Sequence, residues 1–214
     1  MKRARAVAEI KRLLRSGARE AELQKHLERH PSLVAAEHAI WPFAVISKLP
    51  LGADFVTDFV YFWSNSTGTH AMLTEIEAPT LRVFTEDDQF TSDFNRALQQ
   101  LRDWRRWCAD NHETLDNTFE PLSDIDEFGG VVPSFRYVHT RLIAGRRKEV
   151  LADARRRSRW ETLVNDVIGE RYLRTWDGFA ESLSGALELD NNWQSTGCFR
   201  YRAGGYVQLA SAES

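Results

Sequence analysis

Two apolar runs of strand character, "ADFVTDFVYFW" (53–63) and "THAMLTEIEA" (69–78), flank the polar turn "SNSTGT" (64–69). Runs of β-branched and aromatic residues around a Gly-bearing turn read as a β-hairpin, and this hairpin constrains the fold more than any other feature. Side chains alternate between the two faces of a strand. Leu73, Glu75 and Glu77 therefore share one face, with Thr74 and Ile76 on the other. On the partner strand Asp54, Val56, Asp58 and Val60 share a face. A hairpin symmetric about Ser66 and Thr67 sets Asp58 directly opposite Glu75. Opposed residues have Cβ atoms about 4.5–5.5 Å apart, where like charges destabilise. A shared divalent cation offsets that repulsion, and hard carboxylate oxygens suit Mg²⁺ or Mn²⁺. A slip of one residue would put the two acids on opposite faces. The plainer use of such acids is a solvated face of an antiparallel sheet.

Downstream, "TSDFNRALQQLRDWRRWCAD" (91–110) places Phe94, Ala97, Leu98, Leu101, Trp104 and Cys108 on one stripe. That spacing predicts an amphipathic helix capped by Thr91 or Ser92. Upstream, Val7, Ile10, Leu13 and Leu14 predict a first helix stopped by Gly17. Residues 18–31, with Ala21, Leu23 and Leu27 apolar, predict a second helix ended by Pro31. Residues 44–49 read as a strand, 122–133 as an irregular loop, and 135–145 as a strand closed by Gly145. Residues 148–168 read as a helix and 171–176 as a short strand, with Asp177 capping a helix through Leu187. The tail from Asn191 has no clear pattern. Helices, a strand meander, a helix and then β-α-β-α argue for one α/β domain. The expected partition is a helix at 1–18, a core at 19–190 and a tail at 191–214.

Composition mainly excludes. A net charge of −3 means that any nucleic-acid site must be a local patch. Cys108 and Cys198, with no CxxC and no Cys/His cluster, argue against a disulfide scaffold or structural zinc and fit a reducing cytoplasm. His26 and His30 stand at i, i+4 without an HExxH pattern, so zinc chemistry is not indicated there. The basic start "MKRARAVAEIKRLLR" is broken by Glu9 and does not read as a secretory signal. No apolar run approaches the roughly 20 residues of a membrane span. Ser, Cys and His residues form no triad pattern.

An acid on one strand, then [D/E]-x-K on the partner strand, then a helix is the core of the PD-(D/E)XK nucleases. Here the matching residues are Asp58 and then Glu75-Ile76-Glu77. The helix segment "QLRDW" (100–104) resembles the Q-x-x-x-Y element of many such enzymes, with tryptophan for tyrosine. More specifically, the chain resembles the nuclease domain of the Shedu antiphage-defence family over about 20–183. The segments that carry this are "ELQKHLERHPSLV", "DFVTDFVYF", "LTEIEAP", and "RLIAGRR" followed by "RTWDGF", in that order and spacing. The resemblance implies an α/β (α+β) restriction-endonuclease-like core: a mixed central sheet flanked by helices, preceded by N-terminal helices. It also implies a metal-dependent endonuclease acting on DNA in defence against phage, and a homo-oligomer.

On that resemblance Asp58 and Glu75 hold Mg²⁺ or Mn²⁺, Gln100 positions a water or a phosphate oxygen, and Glu22 is a further ligand candidate beside its plainer role as a solvated helix charge. Glu77 stands where the family pattern has lysine. Some restriction enzymes of the superfamily carry glutamate there, and a third carboxylate can serve as ligand or general base. The same departure also fits a catalytically silent module that keeps the fold to bind nucleic acid or to oligomerise. Basic clusters offer a DNA-facing surface: Arg102, Arg105 and Arg106 beside Trp104 and Trp107, then Arg146, Arg147 and Lys148, then Arg155, Arg156, Arg157 and Arg159. A solvated helix face is the competing reading of those runs.

Overall fold

The computed structural model describes residues 2–36, 44–125, 137–165, 171–188, 197–202 and 204–210. The chain opens with α1 (Lys2–Ser16), α2 (Glu20–Arg29) and the short α3 (Ser32–Ala35). Gly17, at φ +70°, breaks the first two apart. The strands β1 (Ala44–Ser47), β2 (Pro50–Leu51), β3 (Phe55–Val56), β4 (Phe59–Asn65) and β5 (Gly68–Ile76) follow. Next come α4 (Ser92–Asp110), α5 (His112–Phe119), a 3-10 turn (Glu120–Asp124) and β6 (Tyr137–Ile143). The remainder is α6 (Arg147–Val150), α7 (Ala154–Asn165), β7 (Arg171–Arg174), α8 (Trp176–Glu188), β8 (Gly197–Arg202) and β9 (Gly205–Ala210).

Seven strands form one mixed sheet in the order β7-β6-β5-β4-β1-β8-β9. The hairpin register is the one expected, with Phe59 opposite Thr74 and Asn65 opposite Gly68. The expected strand at 53–63 is broken, however. β3 pairs with β2 in a separate two-stranded sheet, and Thr57 and Asp58 lie between β3 and β4. Their backbone is held by the end of β1: Thr57 N–H donates to Leu49 O, and Lys48 N–H donates to Asp58 O.

β5, β6 and β7 run parallel, and helices cover both faces of the sheet. Val60, Phe62, Leu73 and Leu142 pack with Phe94, Leu101 and Trp104 of α4 on one face. Phe59, Tyr61, Met72 and Ile143 pack with Ile10 and Leu14 of α1 and with Phe179 and Leu183 of α8 on the other. The predicted α4 stripe is the buried one, and Thr91 Oγ1 caps that helix by accepting from Phe94 N–H.

Three expectations change. The helix expected over 148–168 breaks at 151–153, because the Asp153 side chain caps a new helix by accepting from Arg156 N–H. Thr175, not Asp177, caps α8 through Oγ1 accepting from Gly178 N–H. The tail contributes β8, which pairs in parallel with β1. Parts of four expected elements lie outside the described residues: the loop from 126, the strand start at 135–136, the helix end at 166–168, and residues 191–196, 203 and 211–214 of the tail. No helix among the described residues is long and apolar enough to cross a membrane.

Candidate functional site

The carboxyl end of β5 collects the chemistry-bearing residues, as the strand ends of open α/β sheets commonly do. The β4–β5 register continued by one residue places Asp58 opposite Glu75. The β1–β4 register, Ser47 opposite Phe59, likewise places Lys48 opposite Asp58. Lys48, Asp58 and Glu75 therefore form one row across three neighbouring strands. Asp58 is 3% exposed. Its Oδ2 accepts from Ile76 N–H at 2.7 Å, and its Oδ1 pairs with Lys48 Nζ. The Asp58 carboxyl lies close enough to Glu75 to raise its pKa. From α4, Gln100 Nε2 donates to Glu75 Oε1 at 3.0 Å. Gln100 reaches the site because it flanks the buried Ala97–Leu101–Trp104 stripe.

Burial first, then the Asp58 and Glu77 charges, push the Glu75 carboxyl far above the carboxylate range, with Lys48 pulling the other way. Glu77 is pushed up to about 7 by burial, then by Glu20 and Asp58, with Arg96 opposing. Glu20 is raised too, by burial and then by Asp58, and Lys48 offsets part of it. Asp58, Glu75, Glu77 and Glu20 thus influence one another through their charges, and the Lys48 charge is felt at Glu75 and Glu20.

α2 contributes a different acid from the one expected. Glu22 Oε2 accepts from Arg19 N–H at 2.8 Å and closes the start of the helix. Glu20, two residues earlier, is the α2 acid that feels the cluster.

The end of β5 is braced from the far face. Trp176 Nε1–H donates to Glu77 O at 2.7 Å, and Glu77 N–H donates to Ile143 O at 2.9 Å. Gly145, at φ +63°, lies so close to Val83 that a Cβ there would meet Val83 Cγ2 at 2.6 Å. The segments around "EIEAP", "LIAGRR" and "RTWDGF" therefore meet at the carboxyl ends of the parallel strands β5, β6 and β7.

The chain matches the family described as Shedu protein SduA, C-terminal, over residues 17–179. It belongs to the Shedu family. Membership carries a place in antiphage defence, and the matched span contains the whole row Lys48–Asp58–Glu75 together with Gln100. β8 and β9 lie beyond that span. No curated protein matches the chain.

The basic residues fare unevenly. Arg146 is clamped on Asp177 and also donates to Leu14 O, while Arg147 pairs with Glu181. Arg156 is held by Asp88 and Asp153. Arg102, Arg106 and Lys148 are exposed and Arg105 is half-buried. Trp104 is fully buried, so it cannot stack on a base; it is core, and Trp107 packs against Gly52.

Among the described residues no group of three or more His, Cys, Asp or Glu side chains could hold a metal ion. Asp58, Glu75 and Glu77 are thus not a ready three-ligand cage. Mg²⁺ keeps most of its water and is commonly bound through one or two carboxylates plus a substrate phosphate. The Asp58–Glu75 pair, hard oxygens opposed at one register position, fits that lesser demand.

Proposed function

We infer that this Shedu protein is a nuclease that uses Mg²⁺ or Mn²⁺ to hydrolyse DNA phosphodiester bonds. The observation that carries this reading is the Asp58–Glu75 pair at the carboxyl end of β5, with Gln100 bonded to Glu75. A fold gains nothing from opposing a buried and a half-buried carboxyl unless something else uses them. A divalent ion bound there would polarise the phosphodiester and activate a water near neutral pH.

Asp58 and Glu75 are the residues that would hold it, and Gln100 fixes the orientation of the Glu75 carboxyl. In the hydrolysis a water oxygen bonds to phosphorus as the ester P–O bond breaks. The water gives one proton to the Glu77 carboxylate, which passes it to solvent, and the departing oxygen takes a proton from solvent. Arg102, Arg105, Arg106 and Lys148 are the cations proposed to meet the DNA backbone. Arg146 and Arg147 would have to exchange Asp177 and Glu181 for phosphate to join them.

The test is plasmid cleavage with and without Mg²⁺ or Mn²⁺, against Asp58→Ala and Glu75→Ala. The expected outcome is cleavage by the natural protein only with metal, and its loss in both folded variants. One feature favours a silent nucleic-acid-binding or oligomerising module instead: Lys48 and the Ile76 N–H satisfy both oxygens of the Asp58 carboxylate without any metal. A natural protein that binds no divalent ion by calorimetry and cleaves nothing would establish that second reading.

A further inference from the structure

Glu77 leaves the nuclease reading without a positive charge at the position after β5. Yet the row across the sheet contains a cation. Lys48 leaves the end of β1 at φ +54°, a left-handed conformation uncommon for a residue other than glycine. That turn is pinned by Lys48 N–H on Asp58 O and by Thr57 N–H on Leu49 O. The turn brings the Lys48 ammonium onto Asp58, and its charge is felt at Glu75 and Glu20 as well. Its side chain is 37% exposed while that of Asp58 is 5% exposed, so Lys48 is the member of this pair that solvent reaches.

We propose that Lys48 supplies the positive charge of this site, in place of a residue at position 77. This rests on the nuclease reading above. Lys48 holds Asp58 while the site is at rest. When the phosphodiester is bound, it turns to the phosphate oxygens and stabilises the negative charge that gathers there as water adds. No bond to Lys48 forms or breaks. Glu77, freed from that role, accepts the proton of the water. The two residues divide between β1 and β5 the work that one lysine after β5 otherwise does.

The alternative is that Lys48 only neutralises Asp58. Plasmid cleavage at saturating Mn²⁺ and Mn²⁺ calorimetry, applied to the natural protein, Lys48→Gln, Lys48→Arg and Lys48→Gln/Glu77→Lys, separate the two. Loss of one such charge donor costs about 10²–10³ in kcat. The expected result is a kcat loss of that order in Lys48→Gln, with Mn²⁺ affinity equal to or tighter than that of the natural protein. Partial activity in Lys48→Arg and recovery in the double variant are expected too. Lys48→Gln cleaving at the natural rate, or losing activity only through weaker Mn²⁺ binding, overturns the proposal. A natural protein that does not cleave at all sinks the nuclease reading itself, and this proposal with it.

Discussion

Replacing Glu75 by glutamine should make the metal-free protein more stable at neutral pH, although it removes a residue of the candidate site. A glutamate in an unfolded chain titrates near 4.5, and Glu75 in the fold keeps its proton well above that. The sign follows from proton counting. Below about pH 4.5 both states are protonated and the fold keeps its full stability. As pH rises the unfolded chain loses the proton and the fold does not, so stability falls. Each pH unit in that window costs about 1.4 kcal/mol, or about 2.7 kcal/mol from pH 5 to pH 7. Solvent access at half-buried Glu75 reduces this to about 1–2 kcal/mol, which for a chain of this size is roughly 2–8 °C in Tm. Glutamine resembles the protonated carboxyl and keeps its partners, so Glu75→Gln escapes that loss. Thermal melts in chelator at pH 5, 6, 7 and 8 should show the variant gaining on the natural protein by that amount. Saturating Mn²⁺ should reverse the order. Ligand at 100 times Kd adds about 2.7 kcal/mol to a binding fold, and the variant should gain little. A variant with the same pH slope as the natural protein, or one that still gains in Mn²⁺, would refute the reasoning.

Gln100→Leu should leave the fold intact and slow cleavage about 2–13-fold, the worth of one neutral hydrogen bond of about 0.5–1.5 kcal/mol, measured as kcat at saturating Mn²⁺. Gly145→Ala should cost about 2–4 kcal/mol, read as a lower urea midpoint. The added Cβ occupies a left-handed residue and strikes Val83.

The hairpin shows how far local pattern reaches. Alternation and a symmetric turn determined the pairing of 59–65 with 68–74, and with it the Asp58–Glu75 opposition, because strand period and loop length act over a few residues. The stripe on α4 determined the buried face of that helix for the same reason, while Gln100 was singled out by the resemblance of its segment to the Q-x-x-x-Y element. The helix caps show where local pattern stops. Asp177 is a good cap by type, but Arg146 and Arg147, some 30 residues earlier, take its carboxylate, and Thr175 caps instead.

The sequence by itself therefore determined the pairing of 59–65 with 68–74, its register, the helix over it and the acids on the shared face, but not the break that separates β3 from β4. Only the tertiary structure decided that Lys48 joins that face, that Glu20 and not Glu22 is the acid α2 turns toward it, and that Arg146 and Arg147 are bound by α8 acids. It also decided that β8, some 150 residues after β1, lies beside it. These are contacts between elements far apart in the chain. They are set by how two apolar helix layers close over one sheet, and no periodicity within a single segment encodes that closure.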